Sequence, residues 1–84
     1  MRHAREDYNR IQDPAGKIPA LEPVFLLRGQ DKYAAAAVRA YAEAISQDPD
    51  ATDDALDISA IAFNWADRME DWPGRKTPDM PRET

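Results

Sequence analysis

The stretch 53–72 sets the terms for the rest of the chain. Ala55, Ile58, Ala62, Trp65, Met69 and Trp72 succeed one another at steps of 3, 4, 3, 4 and 3, which places all six on one side of an α-helix. Leu56, Ile61, Phe63 and Ala66 flank that line, so the apolar face is broad. Thr52 or Asp50 can accept hydrogen bonds from the first free backbone N–H groups, and Asp53, Asp54 and Asp57 stand where the helix dipole favours negative charge. Pro73 disfavours helical geometry at Trp72, and Gly74 comes next. The spacing predicts a helix over 53–72 with its apolar side turned to the core.

A second helix is expected over 31–46. Gly29-Gln30-Asp31 interrupts the preceding apolar run, and Asp31 is placed to cap this helix. Ala34, Val38, Tyr41 and Ile45 recur at steps of 4, 3 and 4 on one helical face. The many alanines favour helix and permit close approach of a neighbour. Gln47–Asp50 ends this helix, with Pro49 as the breaker. The short connection to Asp53 favours antiparallel neighbours.

Residues 1–30 read as an N-terminal arm. Asp13-Pro14-Ala15-Gly16 is a turn by composition, since proline presets one backbone angle and glycine tolerates a positive one. Ile18-Pro19 and Glu22-Pro23 keep the chain extended. The apolar run from Pro23 to Arg28 suits a short extended segment laid across the helices, and Tyr8–Ile11 is its candidate partner in a two-stranded ribbon. Residues 73–84, with two further prolines after Pro73 and Met80 as the single large apolar residue, are expected to be an irregular tail. The expected fold is therefore mainly α: one small domain over 1–72, an antiparallel two-helix hairpin with an extended arm, and then the tail.

Charge and composition exclude several functions. The net charge is −5, unevenly spread: +1 over residues 1–33, −7 over 34–72 and +1 over 73–84. The helical part repels phosphate backbones, which argues against direct nucleic-acid binding. With no cysteine, disulfides and thiolate metal sites are out. The run Val24–Leu27 is far too short to span a membrane, and residues 1–10 lack the apolar region of a secretion signal. The expectation is a cytoplasmic protein with no membrane partner.

The polar clusters favour bland readings. Asp48, Asp50, Thr52 and Asp54 share the alternate spacing of a calcium loop, but Asp53 stands where glycine is needed and Ser59 where a bidentate glutamate is needed. Helix capping accounts for the cluster, and no metal site is expected. His3 is the only histidine and lies near the terminus. Ser46 and Ser59 are the only serines, and either would need activation by lysine or carboxylate. Arg28, Gln30 and Asp31 beside Gly29 form the best polar constellation, yet an enzyme would need them to converge with a further carboxylate. No catalytic residue and no cofactor are expected.

The aromatics carry more information. Two helices cannot easily enclose Phe25, Tyr33, Tyr41, Phe63, Trp65 and Trp72 in so short a chain. Exposed aromatics beside a polar rim mark a partner or self-association face. Trp65 is expected in the core, with an interface role as its alternative, and Trp72 suits either. The interface candidates are Phe25, Arg28, Trp65, Met69 and Trp72. Glu43, Asp67, Glu70 and Asp71 line outward positions; they are a solvated face, or else an acidic surface that imitates DNA.

Three stretches carry a resemblance: Ile11-Gln12-Asp13-Pro14 with Gly16-Lys17-Ile18-Pro19, then Glu22 through Asp31, then Lys76-Thr77-Pro78-Asp79. Together they resemble small uncharacterised proteins of bacteriophages and proteobacterial prophages. That resemblance implies a phage or prophage accessory protein and attaches no activity and no residue role. The expected function is a non-enzymatic protein-interaction module, acting as a homodimer or by docking on a protein partner. The alternative is an acidic DNA mimic that inhibits a nucleic-acid-processing or defence protein.

Overall fold

The computed structural model describes residues 2–3, 13 and 15–77. Its elements in chain order are β1 (Arg2–His3), β2 (Pro23–Val24), α1 (Ala34–Ser46) and α2 (Asp53–Glu70). Two compact units result: Met1–Leu27 with Asp79–Thr84, and Arg28–Pro78.

In the first unit β1 and β2 pair in parallel, with Arg2 opposite Pro23 and His3 opposite Val24. The expected partner of this strand, Tyr8–Ile11, lies outside the described residues. Asp13 organises the turn that precedes β2. Its carbonyl accepts from Gly16 N–H at 2.9 Å, and its carboxylate accepts from the N–H groups of Lys17 at 3.2 Å and Ile18 at 2.9 Å. Gly16 has φ +62, a backbone conformation that glycine adopts without steric cost.

The second unit is the helical hairpin. Both helices form, each within narrower bounds than the spacing predicts. α1 begins at Ala34 rather than Asp31, because Asp31 is used one turn earlier. Its carboxylate accepts from Tyr33 N–H at 2.8 Å and its carbonyl from Ala34 N–H at 3.0 Å, while Tyr33 takes the capping position with no side-chain bond. Asp31 also pairs with Lys76 in an isolated parallel bridge. Lys32 N–H donates to the Lys76 carbonyl at 2.8 Å, Lys76 N–H donates to the Gln30 carbonyl, and Arg75 donates to the Lys32 carbonyl at 2.8 Å. The segment after α2 thus returns to the entrance of α1 and closes the open end of the hairpin. The helical unit runs past Trp72 for this reason.

α2 starts where its cap predicts. Thr52 is extended at φ −73, ψ 164, and its hydroxyl accepts from Ala55 N–H at 3.1 Å. Asp50 serves the connecting loop instead, its N–H donating to the Asp48 carboxylate at 2.9 Å. Asp53 and Asp54 lie in the first turn and Arg68 in the last, both favourable for the dipole. Thr52→Ala is expected to lower stability by about 1 kcal/mol, read from urea unfolding monitored by circular dichroism; an unchanged midpoint would show that the cap contributes nothing. The helix ends at Glu70, two residues short of Trp72, with Asp71 as its C-cap.

The buried face differs from the one the large residues predict. Ala34, Ala35 and Ala42 of α1 and Ser59, Ala62 and Ala66 of α2 are buried, and Ala55, Val38 and Ile45 are half-buried. No large side chain is fully buried among the described residues. On α2 the seam is therefore Ala55–Ser59–Ala62–Ala66, and Ile58 and Trp65 of the expected seam lie beside it rather than within it. Tyr41 likewise leaves the seam of α1 and is exposed. The cause is close approach. Ser59 Oγ donates to the Ala42 carbonyl at 2.7 Å across the two helices, a separation that leaves no room for indole or isoleucine between the backbones. Small residues let the helices reach that distance, and the larger ones are turned outward.

Candidate interaction groove at the open end of the hairpin

Turning the seam inward carries a set of large apolar side chains out. Ile58 is 47%, Ile61 57%, Trp65 47% and Trp72 56% exposed. At 3.6 residues per turn, Ile58, Ile61 and Trp65 share the flank of α2 beside the seam. Tyr41, Ala37 and Ala44 of α1 are exposed too, and in an antiparallel pair they fall on the same side of the hairpin.

At the open end this flank deepens into a groove of about 480 Å³. Trp65, Met69 and Trp72, from α2 and the turn after it, and Arg28, Gly29 and Gln30, from the loop before α1, line it. Arg68 completes the lining and lies 4.1 Å from the Trp65 ring centroid, a cation–π geometry that fixes the indole's face. Trp72 is held between two glycines. A β-carbon on Gly29 would stand 3.5 Å from Trp72 Cβ, and one on Gly74 would stand 3.1 Å from Trp72 Nε1. The approach at Gly74 is tighter than a β-carbon normally makes, so a side chain there would push on the indole, whereas the distance at Gly29 is ordinary van der Waals contact. The groove therefore brings two indoles and a methionine together with two guanidinium groups, in a segment otherwise dominated by carboxylates.

Four of the five interface candidates, Arg28, Trp65, Met69 and Trp72, meet in this groove. Phe25 belongs to the other unit, just after β2, and is exposed there. Gln30 joins Arg28 as part of the lining, but Asp31 does not, because its carboxylate is committed to the Tyr33 N–H. Arg68, Ile58 and Ile61 also belong to this surface, and sequence reasoning alone misses them. Their spacing relative to Trp65 carries the signal, which is hidden because the apolar line through Ile58 is expected to face the core.

The acidic candidates lie elsewhere on the hairpin. Arg39 of α1 donates to Asp67 at 2.7 Å and also to Glu70. The two hydrogen bonds, Asp67's first, hold the Arg39 guanidinium above its ordinary pKa. Asp71 caps α2, and Glu43 is exposed on α1. The two serines are both tied to backbone: Ser59 to the Ala42 carbonyl, and Ser46 Oγ to the Glu43 carbonyl at 3.1 Å. Among the described residues no three histidine or acidic side chains stand close enough to hold a metal ion, and no helix is long and apolar enough to cross a membrane. Comparison with protein-family models, with curated proteins and with solved structures finds no match.

Proposed function

We propose that this chain is a non-enzymatic protein-interaction module, an accessory protein of the phage or prophage kind, which works through the exposed flank of α2 and its groove. One observation carries the reading. Among the described residues only alanines and Ser59 are fully buried, while Ile58, Ile61, Trp65 and Trp72 are left about half exposed along one side. Alanine burial contributes little per residue, and the large side chains that stabilise most cores are held in reserve here. Covering them on a partner would add the apolar burial that the hairpin lacks, with tryptophan and arginine supplying anchors of the usual interface type. The expected setting is the cytoplasm.

The acidic alternative, a DNA mimic that occupies a nucleic-acid-processing or defence protein, draws on the charge of −7 over residues 34–72. Asp67 and Glu70 are both engaged by Arg39, which favours the apolar flank as the working surface.

The test is affinity capture from nuclease-treated host lysate with the wild-type chain and with Ile58→Gln/Trp65→Gln, washed at low and high salt. The expected result is a discrete protein, or further copies of the chain, held by the wild type at high salt and lost with the double variant. Capture that is lost at high salt, is indifferent to Ile58 and Trp65, and is abolished by charge reversal at Glu43 and Asp71 overturns the reading in favour of the mimic, since screening weakens exposed charge contacts.

A further inference from the structure

Outside the seam, α2 carries a second ordered line: Asp54, Ile58, Ile61, Trp65 and Arg68, at steps of 4, 3, 4 and 3. This is the spacing of a coiled-coil seam, and all five residues are exposed. The line is symmetric in position and antisymmetric in charge. Asp54 lies seven residues before Ile61 and Arg68 seven after it; Ile58 lies three before and Trp65 four after. Neither Asp54 nor Arg68 has an ion-pair partner among the described residues. A parallel copy would set Asp54 against Asp54 and Arg68 against Arg68, which is repulsive at both ends. An antiparallel copy sets each aspartate against an arginine and packs the apolar middle on itself.

Resting on the reading of this flank as an interaction surface, we propose that its occupant is a second copy of the chain. α2 pairs antiparallel with α2 of that copy about a two-fold axis at Ile61. Ile61 meets Ile61, Ile58 meets Trp65, and Asp54 of each copy faces Arg68 of the other. Such an interface is isologous, so both ion pairs form at once. The same crossing brings the acidic loop end of one hairpin, with Asp50 and Asp53, toward the groove of the other, where Arg28 and Arg68 lie. Opposite charge at both ends then fixes the register that the short apolar centre alone leaves loose.

The chain has no cysteine, so single cysteines report the geometry without background. Ile61 is 57% exposed, and its replacement does not disturb the seam; circular dichroism checks that helix content is kept. Sedimentation equilibrium should give a dimer. Under mild oxidation Ile61→Cys should form a covalent dimer, whereas Leu56→Cys, exposed on the opposite side of α2, should not. Asp54→Cys and Arg68→Cys should each give no covalent dimer alone and should crosslink when mixed. Asp54→Arg or Arg68→Asp should each weaken the dimer by about fivefold or more, and the double variant should return to near wild-type affinity, because the same ion pair occurs twice per dimer and the double variant restores it with its charges exchanged. Self-crosslinking of Asp54→Cys, equal crosslinking of Leu56→Cys, or double-variant affinity no better than the single variants overturns the geometry. A monomer at all concentrations overturns the second copy as occupant. The interaction reading itself falls only if Ile58→Gln/Trp65→Gln captures the same proteins as the wild type.

Discussion

Ala66→Leu is expected to destabilise the hairpin by about 3 kcal/mol or more, although it replaces one good helix former by another. Ala66 is completely buried. With Ser59 bonded to the Ala42 carbonyl, the antiparallel register sets Ala66 opposite Ala35, which is buried as well. An isopropyl group added there has no space between the helices and must push them apart. Separation also stretches the Ser59 bond of 2.7 Å two turns away, leaving a buried hydroxyl without its acceptor. Overpacking costs about 1–3 kcal/mol, and an unsatisfied buried polar group about as much again. Small domains hold total stability near the low end of the usual range of about 5–15 kcal/mol. The variant should therefore be largely unfolded at moderate temperature. Ala60→Leu is the matched control, since Ala60 is on the same helix but exposed; it should shift stability by less than about 0.5 kcal/mol. Urea unfolding of the two variants side by side checks this, and equal midpoints would overturn the alanine seam.

The two helices are legible in the sequence because their signals are local. A period of 3 and 4, the Thr52 hydroxyl in front of α2 and the breaker Pro49 act over a few residues, and tertiary contacts do not override them. The ends shift for identifiable reasons. Asp31 pairs with Lys76, and no pattern in a charged, proline-rich tail announces a backbone bridge to a residue so far back in the chain. The buried side of α2 is obscured because hydrophobicity weights each residue by size. Ile58, Trp65 and Trp72 dominate any such weighting, while Ser59 counts as polar. Two helices alone bury most efficiently by approaching closely, and close approach selects the smallest residues. The line Ala55–Ser59–Ala62–Ala66, at steps of 4, 3 and 4, runs through the same stretch beside the line of large residues. The groove is half legible: Arg28 and Gly29 adjoin in the chain, and Met69 shares a helical line with the tryptophans, but only the fold joins the two groups.

Trp65→Ala should show the opposite pattern to Ala66→Leu. A fully buried tryptophan costs about 3–5 kcal/mol when truncated to alanine. Trp65 is 47% exposed, so roughly half of its burial is at stake, together with the Arg68 stacking at 4.1 Å. The expected loss in hairpin stability is about 1–2 kcal/mol, measured at a concentration low enough to exclude association. Binding should suffer much more. An aromatic anchor at an interface centre contributes about 2 kcal/mol or more on truncation, roughly a 30-fold loss of affinity. Sedimentation equilibrium reads that loss for a second copy, and titration calorimetry reads it for a captured protein. Ala66→Leu removes the platform, and with it both fold and binding; Trp65→Ala keeps the platform and removes what it presents. If Trp65→Ala instead lost about 3 kcal/mol of stability with affinity unchanged, the indole would be holding the hairpin together, and the flank of α2 would lose its role as a binding surface.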